Sequence, residues 1–160
     1  MSIVSRWLEY LDRNGIRYSH SVHPPAQTAL ETARAERIEP HDLVKSVIYF
    51  CDTGFGMAVV AADDMVDLPE IGRLLGIEFI RLADEGEIGA LFPDCELGAM
   101  PPFGNLYGMP VLVDADVAER EYIAFAIGTH RDVARISMAD YAKVASPLIA
   151  PIVATQGFLV

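Results

Sequence analysis

Few residues in this 160-residue chain carry the chemistry of a nucleophile, a metal ligand or a pocket cation. The thiols are Cys51 and Cys95. Cys51 falls inside an apolar stretch and reads as core, since cysteine is commonly buried. Cys95 lies between Asp94 and Glu96, acidic neighbours that would raise its pKa and oppose a thiolate. No nucleophile-elbow sequence and no phosphate-cradling loop occurs. His20 and His23 are three apart, but successive residues of a strand face opposite ways, so the pair does not converge on a metal. The Asp63-Asp64 pair reads as a turn at a strand end, and HExxH is absent. The expectation is a protein with no metal and no cofactor.

Three other features remain. Lys45 interrupts the apolar run Leu43-Val44-Lys45-Ser46-Val47-Ile48. A strand lysine either faces solvent or points into a pocket, where its cation attracts a phosphate or a carbonyl oxygen. His130 stands in the turn Gly128-Thr129-His130, as a surface residue or as one that orients a substrate. The loop Gly98-Ala99-Met100-Pro101-Pro102-Phe103-Gly104 combines glycines, which let backbone approach a ligand closely, with prolines, which fix the chain between them. It can serve as a structural connection or present rigid backbone groups to a ligand.

These residues must be held by a mixed succession of elements. Ile3, Trp7, Leu8 and Leu11 recur at helical spacing, with Gly15 as a stop. Residues 16–22 alternate as a strand. Thr28 and Glu31 have the spacing of a capping box that opens a short helix ending near Arg37. Residues 43–51 and 57–62 flank a Gly-rich turn and read as a hairpin. Asp67-Leu68-Pro69-Glu70 starts a helix that Gly76 ends. A strand near 78–82 and a helix over 84–91 precede the Pro-rich loop 93–110, and a strand covers 111–114. A second hairpin pairs residues 121–127 with 133–137, and Ser137 caps a last helix to about Val144. Four or five helices and six or seven short strands in mixed order predict an α/β domain with a mixed, curled sheet of six to seven strands, flanked by helices.

Composition bounds the function. The chain is 52% hydrophobic and 22% charged, with mean hydropathy +0.27, which is globular and not disordered. One domain covering residues 1–160 is expected. No apolar run reaches the length of a membrane span, the first residues lack a signal-peptide pattern, and the two cysteines suit a reducing compartment; a cytoplasmic protein without membrane contact is expected. The net charge of −11, with 12 scattered Lys and Arg, excludes a broad basic stripe for DNA or RNA. Nucleic-acid contact must be local or assisted by a partner.

The segments TALETA (28–33), LVKSVIY (43–49), VDLPEIGRLLG (66–76), DCELGAMPPFGNLYGMPVLVD (94–114) and ISMADYAKV (136–144) together resemble the YbaK/EbsC/ProX family. That family contains the editing domain of bacterial prolyl-tRNA synthetases and its free-standing relatives. The match runs from about Tyr18 to Pro147. It implies a deacylase that hydrolyses the ester between a wrong, small amino acid and tRNA. The acceptor end of the mischarged tRNA would be its partner, with a synthetase as a second. The same resemblance implies catalytic roles for Lys45 and Gly98. It implies substrate-binding roles for Thr28, Ala99, Met100, Pro101, Pro102, Phe103, Gly104 and His130, with backbone groups, a substrate ribose hydroxyl and an ordered water in place of a metal or covalent nucleophile. Met100 and Phe103 add bulk where relatives differ. The alternative is a non-catalytic regulatory module that binds an amino acid or aminoacyl-tRNA in the same pocket.

Overall fold

The computed structural model describes residues 2–154. The chain opens with helix α1 (Ile3–Arg13), capped by the Ser2 hydroxyl, which accepts from the Ser5 N–H. Strand β1 (Tyr18–Val22) leads to α2 (Ala29–Glu36), where Thr28 accepts from the Glu31 N–H. Side-chain caps of this kind stabilise a helix by about 1 kcal/mol each. The reciprocal half of the expected box is altered, because the Glu31 carboxylate accepts from the Gln27 N–H and not from that of Thr28. Strands β2 (Val44–Cys51) and β3 (Gly54–Ala61) form the expected hairpin. Helix α3 (Leu68–Leu75) starts at Asp67 and ends at Gly76, which takes φ 67°. Strand β4 (Ile80–Leu82) and α4 (Glu85–Leu91) follow, the latter with a complete capping box between Asp84 and Glu87.

The Pro-rich loop is ordered and carries one 3-10 turn, Gly104–Tyr107. Beyond it come β5 (Val111–Asp114), the short α5 (Ala115–Ala118), β6 (Tyr122–Ala126), β7 (Asp132–Ser137), α6 (Met138–Ala145) and β8 (Leu148–Ala150).

The α/β class holds, and the strands divide between two sheets. One is antiparallel, in the order β1-β7-β6; the other is mixed, in the order β4-β2-β3-β5-β8. Its β3-β5 and β5-β8 pairs are parallel. An isolated parallel bridge between Leu43 and Ala124 links the two sheets. The described strands exceed the expected six or seven by β8, because residues 148–150 carry no alternation and gain strand geometry only from pairing with β5.

The main core lies between the sheets and α1, and includes Trp7, Met57, Phe103, Phe125 and Tyr141. Helix α2 packs on the opposite face of the three-stranded sheet, where Ala33 meets Leu43, Ala124 and Val133. That placement defines the clefts described next. No helix among the described residues is long and apolar enough to cross a membrane.

Candidate active site

A narrow cleft opens at the N-terminal end of α2. Its walls come from four stretches of chain: Thr28 and Thr32 of α2 and its cap, Lys45 and Ser46 of β2, Gly98 and Met100 of the Pro-rich loop, and Ala126 and His130 around the β6–β7 turn. Its volume is about 20 Å³, room for about one water molecule.

Lys45 lies on this wall and not on an outer face in solvent. Its ammonium donates to the Ala62 carbonyl at 3.1 Å. Half-burial lowers its pKa by desolvation, against the opposing charges of Asp64 and Asp63.

Gly98 takes φ +87°, a region that L side chains rarely adopt. A Cβ built there would stand 3.5 Å from His130 Cε1. The two segments are stitched together. The Glu96 carboxylate accepts from the His130 N–H at 2.6 Å, the Glu96 N–H donates to Gly128 O, and the Gly128 N–H donates to Ala99 O. The His130 carbonyl in turn accepts from the Ala26 N–H, just ahead of α2. Gly98 and Met100 both line the cleft, and among the described residues their N–H groups donate no backbone hydrogen bond.

Of the ten residues implied by the resemblance, Thr28, Lys45, Gly98, Met100 and His130 line the cleft. The other five do not. Ala99 and Phe103 are fully buried. Phe103 stacks on Trp7 at 5.7 Å and meets Phe125 and Tyr141 edge-on. The Pro102 carbonyl accepts from the Tyr141 hydroxyl at 2.6 Å, Pro101 O accepts from the Phe103 N–H, and Gly104 packs so tightly that an added Cβ would meet Met57 at 3.0 Å. The loop therefore turns Gly98 and Met100 to the cleft and packs Ala99 and Pro101–Gly104 into the core. Sequence reasoning missed Ser46 and Glu96. The Ser46 hydroxyl is buried without a hydrogen-bond partner, and a serine beside Lys45 in an apolar strand was the available signal. Nothing in the sequence marks Glu96 as the group that fixes His130.

The thiols stay away from this chemistry. Cys51 is buried and donates to Gly54 O. Burial pushes the Cys95 thiol up, with Asp94 as a smaller contribution; Glu96 is turned toward His130. His20 pairs with Asp132 and His23 bonds Pro24 O, so these two histidines diverge. The Asp63-Asp64 turn joins His41 in a group whose potential ligand atoms lie within 4.8 Å of one another at the surface, a grouping that the sequence reading did not anticipate.

The aminoacyl-tRNA editing domain model matches residues 23–144, which spans every segment of the cleft. This chain belongs to the aminoacyl-tRNA editing domain family. Among curated relatives it is 30% identical over 98 residues to a proline–tRNA ligase of Bacillus cytotoxicus, covering 61% of this chain and 17% of the ligase. It is 28% identical over 123 residues to the ligase of Dehalococcoides mccartyi, covering 76% and 21%. The chain thus spans about a fifth of the length of these ligases. Among solved structures, a candidate trans-editing enzyme for prolyl tRNA synthetase superposes with TM-score 0.81 at 24% identity, covering 97% of this chain and 99% of that one. A hypothetical protein superposes with TM-score 0.84 at 18% identity, covering 93% and 99%. The family match covers residues 23–144, and the likeness in fold extends over 97% of the chain.

Proposed function

We propose that this editing domain is a trans-acting deacylase for tRNA carrying a small, wrongly attached amino acid. The observation that carries the reading is the meeting of Lys45, the Gly98 and Met100 N–H groups and His130 around one cleft, in a chain of the editing family. A water oxygen adds to the ester carbonyl carbon, and negative charge develops on the carbonyl oxygen. Backbone donors fixed by the Glu96–His130 stitching supply oxyanion stabilisation without reorganising. The C–O bond to the ribose then breaks, and the ribose oxygen takes up the proton that the adding water gives up. The products are a free amino acid and a tRNA with its terminal hydroxyl restored. Lys45 anchors the terminal phosphate or polarises a substrate oxygen.

The width of the cleft supports the small-substrate reading. A narrow cleft favours a small side chain over a ring, and editing pockets select by such exclusion. The test is release of free amino acid from a panel of mischarged tRNAs. Release from alanyl, seryl or cysteinyl esters, and not from bulky ones, is expected. Binding of aminoacyl-tRNA without release would instead favour the regulatory module.

A further inference from the structure

A second, wider cleft lies at the other end of α2, on the same face of the three-stranded sheet. Its volume is about 700 Å³, and its lining includes Arg37, Arg120, Tyr122 and Arg135. A shallower groove continues from it across Tyr122 and Arg135 to Arg17. The active-site reading uses none of these residues. We propose that this face holds the unpaired 3′ strand of a tRNA acceptor end while its aminoacylated terminus reaches the mouth of the cleft at Thr28; the proposal rests on the deacylase reading above.

The argument begins with charge. Four of the twelve Lys and Arg residues line the joined grooves, against four of the twenty-three acids: Glu36, Glu39, Asp42 and Glu121. The face is locally neutral on a chain whose other residues carry the full −11. Two of its acids are already engaged. Asp42 pairs with Arg120, and Glu36 accepts from the Ser21 hydroxyl at 2.7 Å and faces His23. Arg17, Arg37 and Arg135 make no salt bridge among the described residues, so their guanidiniums remain available to phosphates. An acidic chain that must touch a polyanion needs such a neutralised strip.

Stacking is the second argument. Arg135 sits opposite Ser19 on β1 and Ala124 on β6, which sets it diagonal to Tyr122 on one sheet face. Its guanidinium lies 4.6 Å from the centre of the Tyr122 ring, yet the tyrosine stays 44% exposed. An exposed aromatic ring beside arginines on an open sheet is the platform on which single-stranded bases stack.

Reach is the third. Helix α2 runs from the active-site cleft at Thr28 and Thr32 to the second cleft at Glu36 and Arg37. Its eight residues rise about 12 Å, which roughly three to four stacked nucleotides at about 3.4 Å each would span. Arg37 ends the helix with φ 58°, a conformation uncommon for a residue other than glycine, and lines the second cleft.

The experiment measures the affinity of the full chain for uncharged tRNA and for an acceptor-stem hairpin, with and without its unpaired 3′ end, at several salt concentrations. Tyr122→Ala and Arg135→Gln change exposed side chains, and their folding is checked by thermal melting. Each is expected to raise Kd for tRNA roughly 10-fold, as loss of a stacked base or a phosphate contact does. Arg135→Gln should also flatten the salt dependence by about one phosphate contact. Deleting the 3′ overhang should weaken wild-type binding and erase the difference between wild type and variants. Kd values within about twofold of wild type for both variants, or wild-type protein that binds no tRNA at low salt, would overturn the proposal. If Tyr122→Ala does not fold, Arg135→Gln alone decides. Amino-acid release by the wild type is scored separately. Release with unchanged variant affinities removes the surface and keeps the deacylase; variant-sensitive binding without release keeps the surface and removes the deacylase.

Discussion

Gly98 faces the imidazole of His130 across a gap that a single methyl group would close: its absent Cβ would lie 3.5 Å from His130 Cε1. The contact distance itself is ordinary, so the obstacle to a side chain is the backbone, at φ +87°. An L residue there costs on the order of 1–2 kcal/mol or moves the peptide, and either course turns the Gly98 N–H. Gly98→Ala and the bulkier Gly98→Val are therefore expected to lose about 100- to 1,000-fold in deacylation rate, the usual cost of one oxyanion donor. The melting temperature should fall by only a few degrees. Turnover and melting measured on the same sample separate the two effects, and a folded Gly98→Val protein with wild-type turnover would remove the loop from the site.

Lys45 should act as a cation. Replacing it by Ala or Met is expected to reduce deacylation by at least about 100-fold. Folding should be retained, because the change removes a desolvated charge and leaves only Ala62 O without its donor. Its pH dependence has a definite sign. Desolvation holds its folded pKa below the ordinary 10.5, against Asp64 and Asp63. The unfolded chain therefore binds more protons between the folded pKa and 10.5, so this group's contribution to stability rises with pH across that window. Activity that requires the ammonium falls over the same range. A rate profile corrected for spontaneous ester hydrolysis, set beside melting temperatures, should show opposite slopes that Lys45→Met flattens.

Much of the fold was legible because its signals are local. Thr28, Asp67 and Ser137 all cap the helices that follow them, as their side-chain chemistry requires. The β2–β3 and β6–β7 hairpins follow from turn residues between apolar runs. What escaped depends on distant pairing. Strand β8 exists through parallel bonds to β5, which residues 148–150 cannot announce. The site was legible in part. A lysine in an apolar strand signals a choice of two faces, and only the packing of α2 over β2 and β6 decides it. The meeting of Gly98 with His130, 32 positions along the chain, rests on the Glu96 carboxylate, whose place in the sequence looks like one more surface acid.

Chelation and thiol substitution should leave turnover intact. The cleft offers no converging ligands, and the His41, Asp63 and Asp64 group lies outside its lining. Burial pushes the Cys95 thiol up, away from the thiolate. Activity in EDTA, and that of Cys95→Ser, is expected within about twofold of wild type. Loss on chelation with recovery on adding zinc or magnesium would bring that acidic group, or another metal site, into the mechanism.

The last expectation concerns the division of the Pro-rich loop. Phe103 is fully buried, stacked on Trp7 and ringed by Tyr10, Phe125 and Tyr141. Phe103→Ala should cost about 3–5 kcal/mol, a large part of the stability of a domain of this size, and lower the melting temperature by roughly 10 °C or more. Phe103→Leu keeps most of the volume and should fold with a smaller loss. The folded Leu variant is expected to release the same amino acids as wild type at nearly the same rate, since Phe103 supports Gly98 and Met100 from the core side without lining their cleft. A substitution that leaves melting unchanged but admits larger amino acids would show that the ring reaches the substrate. In that case the boundary between cleft and core would lie beyond Phe103, toward Gly104, and the selectivity of the site would rest on an aromatic wall in place of the backbone of Gly98–Met100.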